Sequence, residues 1–436
     1  MTDMRILDRF WLQIALFVAL GCVAWTSVAA NHLQQVSAVH WVRSTQHSQG
    51  ATATTPQSPA LANNSTQLDA RFDTHQIEAM ARYLTQGRRR VPGLSLAIVH
   101  DGKIILNAGY GVTNVHDPKP VTKHTVFRIA SLSKAFASAV TGLLIDDGLF
   151  RWDSKVQDFL PGFQLIDQEA SQAVTVADIL SQRIGLPKNA FDSEIEANAD
   201  YYWLVQRLAS IPLICRPGQC YYYQNVAFSL IGNIIYAASG DYYQKVVERR
   251  LFNPLQMNDA SFGITGLENS LEWAHPHTRS RHGWVCLVPR EAYYRLPAAA
   301  GINASSHDMA QWMLAQLGHR PTVLPNSLVT TLHTPLIPTP GERHVGWRRE
   351  RVLDANYALG WRVFNYAKHT VIFHAGAVQG YRGMVALLPE RDFGITMLWN
   401  AETSDPAGLL PIVLDRVLGL PSHRWLKFYG EADLEK

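Results

Sequence analysis

FRIASLSKAFASA, residues 127–139, begins an apolar, Ala-rich run that continues at helical spacing to Leu144. The sequence DDG follows at 146–148, and glycine is the usual residue just beyond a helix C-terminus. The pattern predicts a helix with Ser131 at or near its N-terminus and Lys134 one turn later on the same face. A partly desolvated lysine can take the proton of a serine hydroxyl, which is otherwise a poor nucleophile. By itself, S-x-x-K also fits an ordinary core helix.

The composition is that of a globular protein with a large core. The chain has 436 residues, of which 47% are hydrophobic, and a net charge of +3. Apart from the run RRR at 88–90, its Lys and Arg residues are scattered, so there is no basic stripe of the kind that binds nucleic acid. We therefore expect no nucleic-acid partner.

The N-terminus has the pattern of an export signal. Arg5 and Arg9 precede an uncharged run from Phe10 to Ala30 that ends in small residues. The run is about long enough to cross a bilayer, so residues 1–30 are predicted to be a signal peptide or an uncleaved membrane anchor. Residues 31–68 are rich in Gln, Ser, Thr and Ala and are predicted to be a flexible linker. The folded domain is assigned to 69–436, and the protein is predicted to be exported to the periplasm or cell envelope.

Strand patterns lie at both ends of this domain. Two β-like runs flank Asp101-Gly102 between Val91 and Tyr110, which is a hairpin signal. Further strands are predicted near the C-terminus at 357–364, 370–373, 383–388 and 394–399, before a last helix that starts near Asp405. The region from about 153 to 341 has mostly helical patterns. We predict an α+β fold: one antiparallel sheet built from both ends of the mature chain, flanked by helices, with a large helical insertion.

Two further motifs give the S-x-x-K pattern a specific meaning. In chain order, the set is Ser131-x-x-Lys134, Tyr223-x-Asn225 and His374-x-Gly376. It resembles the serine β-lactamase and penicillin-binding family, and most of all the class C-like branch, which includes D-alanyl-D-alanine carboxypeptidases, D-aminopeptidases and esterases. Three further stretches of the chain resemble landmarks of that branch: LSQRIGLP at 180–187, PLQM at 254–257 and PAAAG at 297–301. The resemblance covers about Val91 to Tyr429 and implies the β-lactamase/DD-peptidase-like fold.

The resemblance implies a role for each motif residue. Ser131 would attack a carbonyl and form an acyl-enzyme, and Lys134 would help deprotonate the Ser131 hydroxyl. Tyr223 would exchange protons with Ser131 and the leaving group. Asn225 would hydrogen-bond the acyl amide of the substrate. An ordinary turn with Asn225 as the N-cap of the next helix is the alternative.

The third motif completes the implied site. The oxyanion hole would use the backbone N–H groups of Ser131 and Ala377, at the end of the strand that carries His374 and Gly376. Tyrosine has an ordinary pKa near 10 and needs nearby cations to act as a base. Lys134 and a protonated His374 are expected to provide them.

The third motif departs from the family pattern at Ala375. A hydroxyl at this position helps to hold the carboxylate of a β-lactam or D-Ala terminus, and alanine cannot donate a hydrogen bond. This favours esters over carboxylate substrates, unless Arg382, expected on a loop beyond the strand, binds the carboxylate instead.

The cysteines and histidines outside these motifs suggest a disulfide and no metal site. Cys215 and Cys220 flank a Pro-Gly pair that suits a type II turn, so they are expected to form a disulfide, with Cys286 free. His275, His277, His282 and Cys286 match no zinc spacing. No metal and no cofactor are expected.

The sequence therefore predicts an exported serine hydrolase that acts on β-lactam, D-Ala-D-Ala peptide or ester substrates. Its partners would be small molecules or cell-wall peptides, and the N-terminal segment could tether it to a membrane. Two alternatives stay open: a carboxylesterase with little β-lactamase activity, and a membrane-tethered penicillin sensor without turnover.

Overall fold

The computed structural model describes residues 68–69, 72–86 and 90–426. The predicted leader, nearly all of the predicted linker, and the residues after 426 lie outside this part. Among the described residues, no helix has the length and apolarity needed to cross a bilayer.

One eight-stranded antiparallel sheet organises the domain. Its strand order is β2-β1-β13-β12-β11-β10-β9-β8, which confirms a sheet built from both ends of the chain. The strands are β1 (Gly93–His100), β2 (Lys103–Gly111), β8 (Ile337–Pro338), β9 (Val352–Tyr357), β10 (Arg362–Tyr366), β11 (His369–Val378), β12 (Tyr381–Leu388) and β13 (Phe393–Trp399). Because Asp101 and Gly102 both adopt positive φ, the β1–β2 turn has the backbone that the Asp-Gly signal predicts.

The sheet separates two hydrophobic cores. Alternate residues of β1 face opposite sides, with Leu96 and Ile98 in one core and Ala97 and Val99 in the other. The first core is covered by the helices nearest the two ends of the described chain, α1 (Thr74–Thr85) and α15 (Leu409–Val417).

The second core contains the S-x-x-K helix, α2 (Ser133–Asp146). Every residue from Ser133 to Leu144 is buried, so the helix has no solvent face before its last two residues. The ring of Phe136 stacks on that of Trp312, with 3.9 Å between centroids. The helix ends as predicted, since Gly148 just beyond it has φ +81°.

The remaining helices lie mainly in the insertion between the two groups of sheet strands. They are α3 (Val156–Phe159), α4 (Gln168–Ala173), α5 (Val176–Leu180), α6 (Asp192–Glu196), α7 (Tyr201–Arg207), α8 (Asn225–Ser239), α9 (Tyr243–Val247), α10 (Gly263–Glu268), α11 (Pro297–Ala300), α12 (Ser306–Gln316), α13 (Asn326–His333) and α14 (Arg348–Arg351). Two small sheets accompany them, formed by β3 (Phe127–Arg128), β4 (Ser261–Phe262) and β7 (Ile302–Ala304), and by β5 (His277–Ser280) and β6 (Gly283–Cys286).

Two local expectations are wrong. The single strand predicted at 357–364 is interrupted, because the chain turns between β9 and β10 at Gly360, which has φ +74°. A Cβ there would lie 2.6 Å from the carbonyl oxygen of Lys134, so the turn packs directly on α2. Arg382 is not on a loop, since it lies in β12 opposite Ala377.

Candidate active site

Ser131 lies in a 3₁₀ turn, Ala130–Leu132, that leads directly into α2. Ala130 has φ +51°, a left-handed conformation that is unfavourable for alanine. The Ser133 hydroxyl stabilises this turn because it donates to the carbonyl of Ala130 at 2.7 Å and accepts from the N–H of Ile302 at 3.1 Å. Ser131 is partly exposed to the cleft described below.

Gly376 allows β11 to approach this turn. A Cβ at Gly376 would lie 2.2 Å from the carbonyl oxygen of Ile129, a distance that no side chain tolerates. The glycine of the third motif therefore brings the strand against the residues that precede Ser131.

Lys134 is fully buried, and three polar atoms surround its amine. Nζ donates to Oδ1 of Asn225 at 2.8 Å and to the carbonyl of Ala299 at 3.0 Å, and it lies 3.4 Å from Oγ of Ser131. Burial lowers the pKa of Lys134 well below its usual value, the Asp192 carboxylate opposes the shift, and Arg362 adds to it. A neutral amine has two hydrogens, which match the two carbonyl-type acceptors, so its lone pair is left for the Ser131 hydroxyl.

Tyr223 lines the cleft beside Ser131, and its ring centroid lies 4.6 Å from Nζ of Lys134. Burial raises the pKa of Tyr223 above its usual value, although Ser131 and Arg362 oppose the shift. The tyrosine is therefore protonated in the resting site and suited to give a proton rather than to take one.

The stretch 182–189 holds the segment that carries Tyr223. The N–H of Gln224 donates to Oε1 of Gln182 at 2.7 Å, and the N–H of Asn189 donates to the carbonyl of Tyr223 at 2.7 Å. Residues 180–187, which resemble a family landmark, thus overlap the stretch that positions Tyr223.

The expected disulfide between Cys215 and Cys220 is present, with 6.2 Å between the Cα atoms, and Cys286 is free. Gly218 in the intervening turn has φ +85°. The disulfide loop packs on the stretch 182–189, since the N–H of Gly218 donates to the carbonyl of Arg183.

Asn225 is the first residue of α8, and its side chain is not the cap. The N-cap is Gln224, whose Oε1 accepts from the N–H of Val226 at 2.9 Å. The Asn225 amide therefore points into the site, where Oδ1 accepts from Lys134 and Nδ2 donates to Asp192 at 3.1 Å.

Asp192 was missed by sequence reasoning, because a single aspartate at the start of a short helix has no distinguishing spacing. Its carboxylate accepts from Nδ2 of Asn225, and Tyr293 lines the same cleft. Burial raises the pKa of Asp192, while the bond from Asn225 and the charge of Lys134 oppose the shift.

His374 is buried behind the cleft wall, 1% exposed, instead of lining the cleft. Its Nδ1 lies 2.9 Å from the carbonyl of Ala375 and must donate to it, and in the neutral ring Nε2 accepts from the Tyr357 hydroxyl at 3.3 Å. Burial, followed by Arg362 and Lys134, lowers the pKa of His374 well below its usual value. The protonated His374 expected from the sequence is therefore wrong.

Arg362 supplies the cation instead. Its guanidinium carbon lies 5.7 Å from the ring centroid of Tyr223, and its Nη1 lies 3.0 Å from Oε1 of Glu342. Glu342 also pairs with Arg348. Burial disfavours the Glu342 carboxylate, but the two arginines outweigh this effect and hold its pKa below the usual value. The sequence pattern around Arg362 indicates only a strand, and the arginine's role depends on the turn at Gly360.

These side chains surround an open cleft of about 360 Å³. Ser131, Tyr223 and Asn225 line it together with the third-motif residues Ala375, Gly376 and Ala377. Other lining residues are Lys188, Asp192, Tyr293, Arg362, Arg382 and Trp399. The structure thus brings together all the predicted site residues. His374 lies behind the cleft, with its ring centroid 6.4 Å from that of Tyr223.

The part of the chain that the structure describes has no group of three or more His, Cys, Asp or Glu residues able to hold a metal ion. Among the histidines considered above, His277 lies in β5 and uses its ring structurally. Its Nδ1 bonds the carbonyl of Asn400 at 3.0 Å, and its Nε2 accepts from the N–H of Val115 at 3.3 Å.

Comparisons with known proteins find matches over most of the chain. The beta-lactamase family model matches residues 72–417. Protein flp of Staphylococcus aureus (strain COL) is 27% identical over 328 residues, which cover 74% of this chain and only 62% of that protein. Unguisins hydrolase ungD' of Aspergillus campestris (strain IBT 28561) is 27% identical over 369 residues, which cover 81% of this chain and 67% of that protein.

Solved structures share the fold. The octameric penicillin-binding protein homologue from Pyrococcus abyssi superimposes with a TM-score of 0.72 at 23% identity, covering 82% of this chain and 80% of that one. SurE superimposes with a TM-score of 0.64 at 21% identity, covering 80% and 78%.

Proposed function

The chain belongs to the beta-lactamase family of hydrolase folds, and we propose that it is a serine acyl-hydrolase that forms an acyl-enzyme on Ser131. One observation carries the proposal: the fully buried amine of Lys134 lies 3.4 Å from the Ser131 hydroxyl, and both of its other contacts are acceptors. Burial favours the neutral amine, which is the form of lysine able to take a proton.

In the first half of the reaction, Lys134 takes the hydroxyl proton of Ser131 while Oγ forms a bond to the substrate carbonyl carbon. The carbonyl electron pair moves to its oxygen, which accepts from the backbone N–H groups of Ser131 and Ala377. When the oxyanion collapses, the bond to the leaving group breaks and the leaving group takes a proton from Tyr223. The Lys134 ammonium then returns a proton to Tyr223.

In the second half, water attacks the acyl-enzyme and gives a proton to the pair formed by Lys134 and Tyr223. The Ser131 oxygen leaves with a proton, and a carboxylic acid is released. Burial of Tyr223 supports its role as the proton donor, because a tyrosine with a raised pKa stays protonated at neutral pH.

We propose esters and amides with neutral groups next to the scissile carbonyl as the preferred substrates. Ala375 lines the cleft at the position where the family places a hydroxyl, and a methyl group cannot donate to a substrate carboxylate. The name of the Aspergillus relative, unguisins hydrolase, also supports hydrolysis as the reaction class. Protein flp extends beyond the matched region, so nothing of its wider activity is assigned here.

The test uses purified protein and p-nitrophenyl butyrate. We expect continuous turnover, a Ser131 acyl adduct in intact mass spectra, and a loss of at least about 10³-fold in turnover for Ser131→Ala. Near-normal turnover in Ser131→Ala would refute the mechanism. A stoichiometric burst without turnover would favour the alternative of a penicillin sensor.

We further propose export to an oxidising compartment of the cell envelope. The Cys215–Cys220 disulfide supports it, because such bonds persist mainly in oxidising environments. Cell fractionation and N-terminal sequencing of the recovered protein test both export and cleavage near residue 30. Full-length protein confined to the cytosol would contradict the proposal.

A further inference from the structure

A second chamber of about 310 Å³ adjoins the cleft on the Ala377 side. The two cavities share four lining residues: Tyr293, Ala377, Val378 and Arg382. Ala377 is exposed. A substrate held with its carbonyl at Ser131 and Ala377 therefore has a path into the chamber.

Arg128 forms the buried part of this chamber. It belongs to β3, three residues before Ser131, and is only 2% exposed. Its guanidinium carbon lies 3.7 Å from the ring centroid of Tyr294, and Nη1 donates to the carbonyl of Arg290 at 2.9 Å. These contacts fix the plane of the guanidinium.

The other edge of the Arg128 guanidinium has no partner in the part of the chain that the structure describes. Nε and Nη2 are both buried, and neither has an acceptor among the described residues. Buried N–H groups are rarely left without an acceptor. Nε and Nη2 together form an edge of arginine that can pair with both oxygens of a carboxylate. Arg128 therefore presents a fixed and unoccupied donor pair.

Two further arginines line the chamber. Arg382 lines the chamber too, and its Nη1 is held by the carbonyls of Val378 and Tyr381, each at 2.7 Å. Arg290 adds a third cation and is exposed.

Two acidic residues also line the chamber, and neither neutralises Arg128. Glu402 is already engaged, since its carboxylate accepts from the N–H of Gly380 at 3.0 Å and from the Thr278 hydroxyl at 2.8 Å. Glu196 is exposed, and neither residue forms an ion pair with Arg128 within 4 Å in the described structure.

We infer that this chamber binds a carboxylate carried by the substrate on an arm that extends past Ala377, with Arg128 as the bidentate donor and Arg382 beside it. The inference rests on the proposed acyl-hydrolase function. This carboxylate site in the chamber differs from the one in the cleft, where the family's third-motif hydroxyl would lie at Ala375. The proposed specificity is therefore for esters or amides with a remote carboxylate.

The kinetic test compares matched esters. Monophenyl glutarate and phenyl pentanoate have acyl chains of the same length and differ in the terminal carboxylate. 4-(Butanoyloxy)benzoate and phenyl butanoate place the difference on the leaving group. In at least one pair, the anionic-to-neutral ratio of kcat/KM should fall at least about tenfold in Arg128→Gln and Arg382→Gln. Arg151→Gln, at an exposed arginine paired with Asp153, is the control and should keep the wild-type ratios. Wild-type ratios for both pairs in both chamber variants would overturn the inference.

A binding test separates this inference from the proposed function. Glutarate should bind the wild-type protein in calorimetry and raise its unfolding temperature, and it should bind at least about tenfold more weakly to Arg128→Gln. Arg382→Gln gives the same readout if Arg128→Gln does not fold. If the wild-type protein hydrolyses neutral esters but does not bind glutarate, the proposed carboxylate site is wrong and the proposed acyl-hydrolase function stands. Glutarate binding that depends on Arg128, without any hydrolysis that depends on Ser131, overturns the acyl-enzyme alone.

Discussion

Nδ2 of Asn225 donates to the carboxylate of Asp192 at 3.1 Å. This bond fixes the orientation of the amide, because the opposite orientation would place two oxygens against each other. The amide oxygen must then face Lys134, from which it accepts at 2.8 Å. Asp192 thus turns the Asn225 oxygen toward Lys134, where it is one of the two acceptors for the amine hydrogens. With both hydrogens engaged, the lone pair of the neutral amine is free for the Ser131 hydroxyl.

The charges on either side of Lys134 predict opposite effects on the pH profile. The active form of Lys134 is neutral, so kcat/KM should rise as pH rises through the lysine pKa. The Asp192 carboxylate raises that pKa and Arg362 lowers it. The acidic limb of the profile should therefore move to lower pH in Asp192→Asn and to higher pH in Arg362→Gln.

The measurement is kcat/KM for a neutral ester across the pH range, with the position of the limb as the readout, since both variants also reduce the rate. Arg151→Gln is the control and should leave the limb in place. Shifts in the same direction, or no shift in either variant, would show that Lys134 is not the titrating base.

Gly376→Ala should damage the fold around the nucleophile. The added methyl group would lie 2.2 Å from the Ile129 carbonyl, so β11 would have to move away from the Ser131 turn. We expect a loss of about 1–3 kcal/mol in the free energy of unfolding, measured in urea, together with a large drop in kcat/KM. At Gly162 the φ is not positive and an added Cβ meets nothing within 4 Å, so Gly162→Ala is the matched control. Equal stability of the two variants would contradict the predicted contact.

The Cys215–Cys220 disulfide should contribute to stability in spite of its short loop. Chain-entropy arguments give about 2 kcal/mol for closing so small a ring. The double variant Cys215→Ala/Cys220→Ala should lose about this amount, whereas Cys286→Ala should change the free energy of unfolding by less than about 0.5 kcal/mol. Mass spectrometry of unreduced protein provides the direct measurement, and free thiols at both positions in freshly purified protein would refute the pairing.

Restoring the hydroxyl in the third motif should change substrate preference. A hydrogen bond to a charged group contributes roughly 1.5–3 kcal/mol, which is about ten- to a hundredfold in kcat/KM. Ala375→Thr should therefore raise penicillin turnover relative to p-nitrophenyl butyrate by at least about tenfold. The competing explanation is that Arg382, which also lines the cleft, already holds this carboxylate. In that case Arg382→Ala alone would change the ratio, and Ala375→Thr would not.

The elements predicted correctly from the sequence have local signals. The hairpin depends on Asp101-Gly102, and the end of α2 depends on Gly148. The predicted strand at 357–364 failed because its turn residue, Gly360, lies in an apolar run. Its turn conformation follows from contact with α2, more than 200 residues earlier in the chain. The alternative in which Asn225 is the N-cap of α8 is excluded for a similar reason, since the Asn225 side chain bonds Lys134 and Asp192 and the cap is Gln224.

By itself, the sequence determined that Ser131 lies at the start of an apolar helix and that Lys134 follows within its first turn, because the apolar spacing and the glycine at 148 are local signals. Only the tertiary structure decided that this lysine is desolvated, since its acceptors Asn225 and Ala299 lie 91 and 165 residues away in the chain. It also decided that Arg362 rather than His374 is the cation near Tyr223, and that two buried donors of Arg128 have no acceptor among the described residues. Burial and charge act through space, and local spacing does not encode which distant side chains surround a group.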